Sequence, residues 1–308
     1  MSRYGQRTRL TNAATADVVA TWFGNQFVTI PVPINNVDFL VVAGGGGAGT
    51  SAGGGGGAGG FRTSAGTSGR NSAAETKLTL ATGTPYTVTI GAGGAGGATN
   101  NGENQGVDSV FSTITSLGGG WGTSYLSASG PNGTAGGSGG GIIAKVPGVS
   151  SGGAGTTAQG FDGGTAWTDN ATGRTASGGG GAGANGVNAA TSGNAGTNGG
   201  AGLASTITGA SVYYAGGGAG ANNNGAVGGI GGGGDSGGVS GGVNTGGGGG
   251  ANSYGNTSGA GGSGIVVIRY ANTYSDLSNV SAGLTYTYTN SGGYKIYTFT
   301  AGTGTVTV

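Results

Sequence analysis

The chain has 308 residues, of which 85 are glycine, only 6% are charged, and none is histidine or cysteine. Those absences exclude an imidazole base poised near neutral pH, a thiolate nucleophile, and the zinc and iron sites built mainly from these residue types. Ten basic and nine acidic residues leave a net charge of +1, too little field to draw in nucleic acid or an anionic membrane.

The seven Asp and two Glu are scattered along the chain. The expectation is a non-enzymatic protein with no cofactor, no bound metal and no nucleic-acid partner. No run of eighteen apolar residues exists, so no membrane insertion is expected. The polar opening Met1–Arg9 lacks the apolar stretch of a secretory signal, which predicts synthesis in the cytoplasm.

Residues 1–25 form the first unit. Their local charge cluster is Arg3, Arg7 and Arg9, followed by Trp22 and Phe23. The cluster could dock an acidic socket or be a solvated terminus, and burial of the two aromatics would favour docking. A weak helical spacing spans residues 13–22.

A glycine-rich unit follows over residues 26–270. Gln26–Val32 and Val37–Ala43 are rich in β-branched and aromatic types and are separated by a turn at Pro33–Asn36; they predict a hairpin feeding the first glycine run. Of the 85 glycines, 78 lie in residues 44–264, just over one in three. Collagen is excluded by five prolines and the lack of a sustained Gly-X-Y phase. Short triplet runs do recur at Gly130–Gly139, Gly193–Gly202 and Gly225–Gly237, with glycine at every third position. Polyproline-II geometry has three residues per turn and outward-pointing backbone donors, so a glycine on each flank lets neighbouring helices pair through their backbones. The competing reading is a flexible Gly/Ser tract; strand-like segments at Lys77–Leu80, Tyr86–Ile90 and Ser109–Thr115 interrupt the glycines and favour order. Gly264–Tyr270 closes the unit with a strand.

Residues 271–308 predict a β-hairpin, Leu284–Thr289 and Tyr294–Phe299, about an Asn290–Gly293 turn and running on to Thr305–Val308. The expected fold is therefore all-β and irregular: a layered bundle of polyglycine-II helices bracketed by antiparallel β-strands at both ends, with essentially no α-helix.

The order Phe27–Pro33, Val37–Gly47, Gly59–Arg62, Tyr86–Gly94 and Gly261–Tyr270 resembles the glycine-rich domain of bacteriophage tail-fibre and other virion proteins, over roughly residues 26–270. A more distant likeness is to the polyglycine-II tip adhesins of T-even-like phage long tail fibres, although residues 1–25 do not match their fibre-docking domain. The resemblance implies a virion protein of the tail or fibre, attached to other virion proteins by its N-terminal segment. A homo-oligomer is expected, a trimer by analogy with fibres. The Tyr294–Val308 strand looks like a second copy of the one that opens the domain, which suggests pairing between the two ends or with a neighbour.

Large side chains break the glycine rhythm at Trp121–Tyr125, Ile142–Pro147, Phe161–Trp167 and Tyr213–Tyr214. Rigid aromatics on loops supply contact area at low entropy cost. Trp121, Tyr125, Phe161, Trp167, Tyr213 and Tyr214 are the receptor-binding candidates, for a host surface glycan or outer-membrane protein. The alternative is that they plug gaps or pack between subunits. Asp162 and Asp169, seven apart, read as solvated turn residues over a shared cation. Gly181–Gly186 matches GxGxxG, a chance match in so glycine-rich a chain. An ice-binding surface would need a flat Thr/Ala face, and Asn194, Ala195, Thr197, Asn198 and Ala201 are mixed. The alternative to a fibre or adhesin is an architectural virion subunit, a capsid decoration or tail accessory, with no receptor contact.

Overall fold

β-branched and aromatic residues gather at the two flanks of the glycine region, and the main sheet is made from both. The structure, a computed structural model, describes residues 18–23, 26–98, 104–125, 133–144, 147–168, 174–189, 196–221, 225–253 and 256–308. Its strands are β1 (Val18–Phe23), β2 (Gln26–Pro31), β3 (Ile34–Val42), β4 (Phe61–Thr63), β5 (Leu78–Leu80), β6 (Pro85–Thr89), β7 (Ser109–Phe111), β8 (Ile114–Ser116), β9 (Gly148–Ser150), β10 (Ala166–Thr168), β11 (Leu203–Ser205), β12 (Val212–Tyr214), β13 (Ile265–Ala271), β14 (Asn279–Val280), β15 (Leu284–Ser291) and β16 (Tyr294–Thr307). The protein is nearly all β, and among the described residues the one helical element is a 3-10 turn at Gly69–Asn71.

Ten strands form one antiparallel sheet in the order β4-β3-β13-β16-β6-β7-β8, with β5 added on β3 and β14 and β15 on β16. The two ends of the chain pair through β3, β13 and β16: Val266 stands opposite both Val41 and Phe299. A two-residue turn at Gly292 and Gly293, both with positive φ, joins β15 to β16, the geometry that matches the twist of paired strands.

Three local expectations change. β3 does not pair with β2; β2 pairs with β1, Val18 opposite Pro31, and β3 runs between β13 and β4. The reason is burial: Val37–Val42 is an unbroken buried run, the mark of a central strand flanked on both sides. Residues 13–17 of the weak helical spacing lie outside the described residues, and the rest of it, residues 18–22, is strand β1 instead of helix. Ser109–Thr115 is a hairpin instead of one strand, turning at Ser112 with φ 55°.

The sheet has two apolar faces. On one, Phe39, Val266, Ile268, Tyr270 and Phe299 form a fully buried cluster with Leu80, Val88 and Phe111. On the other, Leu40, Val42, Ile265 and Val267 pack on Ala58, Ile207, Tyr214 and Ala215 from the glycine region. Each such side chain contributes about 1.5–3 kcal/mol on burial, so the sheet carries an ordinary hydrophobic core.

The glycine region is held differently. Residues 44–49 donate with a period of three: Gly44 and Gly47 to the carbonyls of Val107 and Asn104, Gly45 and Ala48 to Gly262 and Gly259, and Gly46 and Gly49 to Gly57 and Gly54. Their carbonyls accept in step from Gly119 and Gly122, from Gly94 and Gly97, and from Gly249. One extended segment thus bonds to six neighbours at 2.9–3.0 Å, where a sheet strand, with its period of two, bonds to two. Close approach requires glycine: a Cβ on Gly56 would lie 2.1 Å from the Gly46 carbonyl oxygen. Not every triplet run behaves this way. Gly225–Gly237 is broken by turns, with positive φ at Gly231, Gly232 and Gly237.

Candidate functional site

At the margin of the glycine region β9 and β10 form a short antiparallel pair in which Trp167 stands opposite Val149. Opposed residues of such a pair share a face, and Val149 is 71% exposed. The Trp167 N–H donates to the Ala189 carbonyl at 3.0 Å, fixing the neighbouring segment alongside. Val149, Thr165, Trp167, Asn188 and Ala189 line a cavity of about 340 Å³. A second cavity of about 340 Å³ shares Thr165 and Asn188 and is walled by Asp162, Asn185 and Ser151. Together they make a groove with an aromatic end and a polar end.

The polar end is ordered by side chains that continue the three-residue step. Asn185 and Asn188 accept from the backbone N–H of Asp162 and Thr165 through Oδ1, at 3.2 and 2.8 Å. Each keeps its amide N–H groups as donors. The Asp162 carboxylate accepts from Arg70 Nη1 and Nη2 at 2.9 and 3.2 Å and from the Gly155 N–H at 2.8 Å. The Arg70 hydrogen bond holds that carboxyl below the usual range, and the pairing raises Arg70 in turn. An aromatic face beside neutral amides and an already neutralised carboxylate can bind a polar, uncharged ligand.

The other aromatic candidates are dispersed. Phe161 is half-buried, with the Arg70 guanidinium 5.3 Å from its ring centroid. Tyr125 is half-buried beneath the Arg174 guanidinium at 3.4 Å. Trp121 is half-buried between Gly120 and Gly122, and its carbonyl accepts from the Thr134 hydroxyl. Tyr213 and Tyr214 adjoin on β12, so the strand turns them to opposite sides: Tyr213 is exposed, whereas Tyr214 is 4% exposed and fills the core, burial pushing its phenol up. Ile142 and Ala144 are likewise buried, against Ala166 and Ala189. Trp22 and Phe23 lie on β1, opposite Phe27 and Gln26. Arg3, Arg7, Arg9 and Asp169 lie outside the described residues.

A second cavity-forming surface has no counterpart among the sequence candidates. Tyr286, Tyr288 and Tyr297 line about 380 Å³ together with Asp276, Ser278 and Asn279. The Thr285–Thr289 alternation was the available signal, since a period of two turns both β15 tyrosines to one face. Burial and the nearby Asp276 carboxylate push the Tyr288 phenol up to about 12.

No curated protein and no solved structure matches the chain. Residues 20–271, from within β1 to the end of β13, match the family model described as a glycine-rich domain, and the chain belongs to that family.

Proposed function

We propose that the protein is a structural component of a bacteriophage particle, a tail-fibre or adhesin subunit whose glycine region is a polyglycine-II lattice. The observation that carries the reading is the six-neighbour bonding of residues 44–49 in steps of three, the repeat of polyproline-II geometry. Such a body is rigid through its backbone and leaves recognition to loops at its margin. Among the described residues the carboxylates support a non-catalytic role: Asp38, Glu75, Asp162 and Asp276 are in ion pairs, and Asp108 and Asp235 accept backbone N–H bonds. On this reading the groove at Trp167 contacts a host surface glycan or outer-membrane protein. Residues 1–25, with Arg3, Arg7, Arg9, Trp22 and Phe23, dock other virion proteins, in a three-fold assembly.

The test is binding of labelled purified protein to host cells, alongside the Trp167→Ala variant. Saturable binding that the variant loses supports the reading; no binding by the native protein to any host whose phage carries it removes the adhesin role. The arginines stacked on Phe161 and Tyr125 favour a second reading, an architectural subunit with no receptor contact. Antibody labelling of particles without cell binding would select it. Vibrational circular dichroism lacking a polyproline-II band would refute the lattice.

A further inference from the structure

The tyrosine-lined cavity lies on the main sheet, away from the glycine margin. Tyr288 and Tyr297 face each other across β15 and β16 with ring centroids 4.8 Å apart and tilted by 41°, and Tyr286 sits 6.1 Å from Tyr297. Tyr286 and Tyr288 are each 42% exposed. A single exposed aromatic is ordinary; rings sharing one cavity with a polar wall are a different case. That wall is held in place by the Leu277 N–H on the Tyr297 hydroxyl at 3.1 Å, the Ser278 N–H on the Thr307 carbonyl at 2.8 Å, and the Tyr270 hydroxyl on the Ser275 carbonyl at 3.1 Å.

Charge selects the ligand class. Asp276 Oδ1 lies 2.9 Å from Lys295 Nζ and accepts from the Tyr288 hydroxyl at 2.9 Å. The site is therefore neutral overall, and a cation gains no net field there. The Lys295 side chain is 10% exposed behind the carboxylate, so an anion cannot reach it freely. Asp276 is 61% exposed at its side chain, and a carboxylate has lone pairs beyond those Oδ1 uses. Its volume of about 380 Å³ falls in the range of small-ligand sites, about 300–1,000 Å³. Aromatic faces suit the C–H face of a sugar ring, and Asp276, Ser278 and Asn279 suit its hydroxyls.

We infer that the cavity formed by Tyr286, Tyr288 and Tyr297 with Asp276, Ser278 and Asn279 binds a neutral saccharide ring. This stands apart from the virion reading and from the Trp167 groove. The experiment is saturation-transfer NMR on the full chain with free neutral mono- and disaccharides, with choline as a cationic control and an immobilised neutral polysaccharide to separate polymer from free sugar. At least one neutral sugar is expected to receive saturation at its ring C–H protons. Tyr286→Ala and Asp276→Asn are each expected to weaken it about tenfold; Thr287→Ala, on the opposite face of β15, and Trp167→Ala leave it unchanged. The inference is overturned if no neutral sugar binds, if Asp276→Asn binds as the native protein does, or if choline binds in place of sugar. Should Tyr286→Ala lose its melting transition, Asp276→Asn, which keeps the side-chain shape, decides alone.

Discussion

Replacing Gly56 by alanine tests whether the glycine region is held by backbone contact. The added Cβ would stand 2.1 Å from the Gly46 oxygen, 2.8 Å from the Gly46 carbonyl carbon and 2.9 Å from the Gly249 nitrogen, all main-chain atoms with no rotamer to yield. Ordinary contact begins at 3.4 Å, so the segments must part by more than an ångström. Three bonds run through that gap: Gly56 N–H to Gly249 O at 2.9 Å, Gly249 N–H to Gly46 O at 3.0 Å, and Gly46 N–H to Gly57 O at 2.9 Å. Lengthened by that amount they cease to be hydrogen bonds. At about 1 kcal/mol each when re-solvated, and about 1–3 when left buried and unmade, the loss over three bonds is roughly 3–9 kcal/mol. Gly292→Ala is the control: φ is +60° and nothing lies within 4 Å of its Cβ, so only left-handed strain applies, about 1–2 kcal/mol. Thermal unfolding followed by circular dichroism should place Gly56→Ala roughly 6 °C or more below the native protein, and Gly292→Ala only a few degrees below, at about 2–4 °C per kcal/mol. If Gly56→Ala melts within a few degrees of the native protein, or above Gly292→Ala, the backbone-contact argument fails.

Three further outcomes are expected. Asp38 is 3% exposed and paired with Arg269 at 2.9 Å and Lys77 at 3.1 Å. Asp38→Asn leaves the mostly buried Arg269 against a neutral amide, whereas Lys77, 47% exposed, is free to turn to water; the substitution should cost about 1.5–3 kcal/mol in urea denaturation. Because Arg70 holds the Asp162 carboxyl below its ordinary range, the pair contributes above the unfolded value of about 3.9 and fades as pH falls through the lower folded one. The melting temperatures of native protein and Asp162→Asn should therefore converge in acid; a gap that stays constant from pH 7 to pH 2 would contradict this. Trp167→Ala removes a half-buried ring at the groove and should leave the cooperative melt intact while host-cell binding falls, which a parallel melt and cell-binding titration would show.

Much of the architecture was legible because side chains announce it. Val37–Val42 and Ile265–Tyr270 had to be buried strands, and Gly292–Gly293 a tight turn. The glycine fraction of residues 44–264, just over one in three, pointed to ordered backbone packing only together with the strand-like segments that interrupt it. The Trp167 groove was legible only as an aromatic on a loop; its polar wall of Asn185, Asn188 and Asp162 depends on segments brought side by side by the fold.

What only the tertiary structure decided is who pairs with whom. Backbone hydrogen bonds carry no residue identity, so nothing in residues 44–49 says that their partners are residues 104–107, 259–262 and 54–57. Triplet spacing does not by itself fix the backbone: the triplets at Gly225–Gly237 stood out in the sequence yet are broken by turns. Tyr213 and Tyr214 read alike until β12 turned one outward and one inward. The residues themselves determined that glycine would replace an oily interior across the middle of the molecule; long-range adjacency, set by the sheet that joins the two ends, determined which glycines meet.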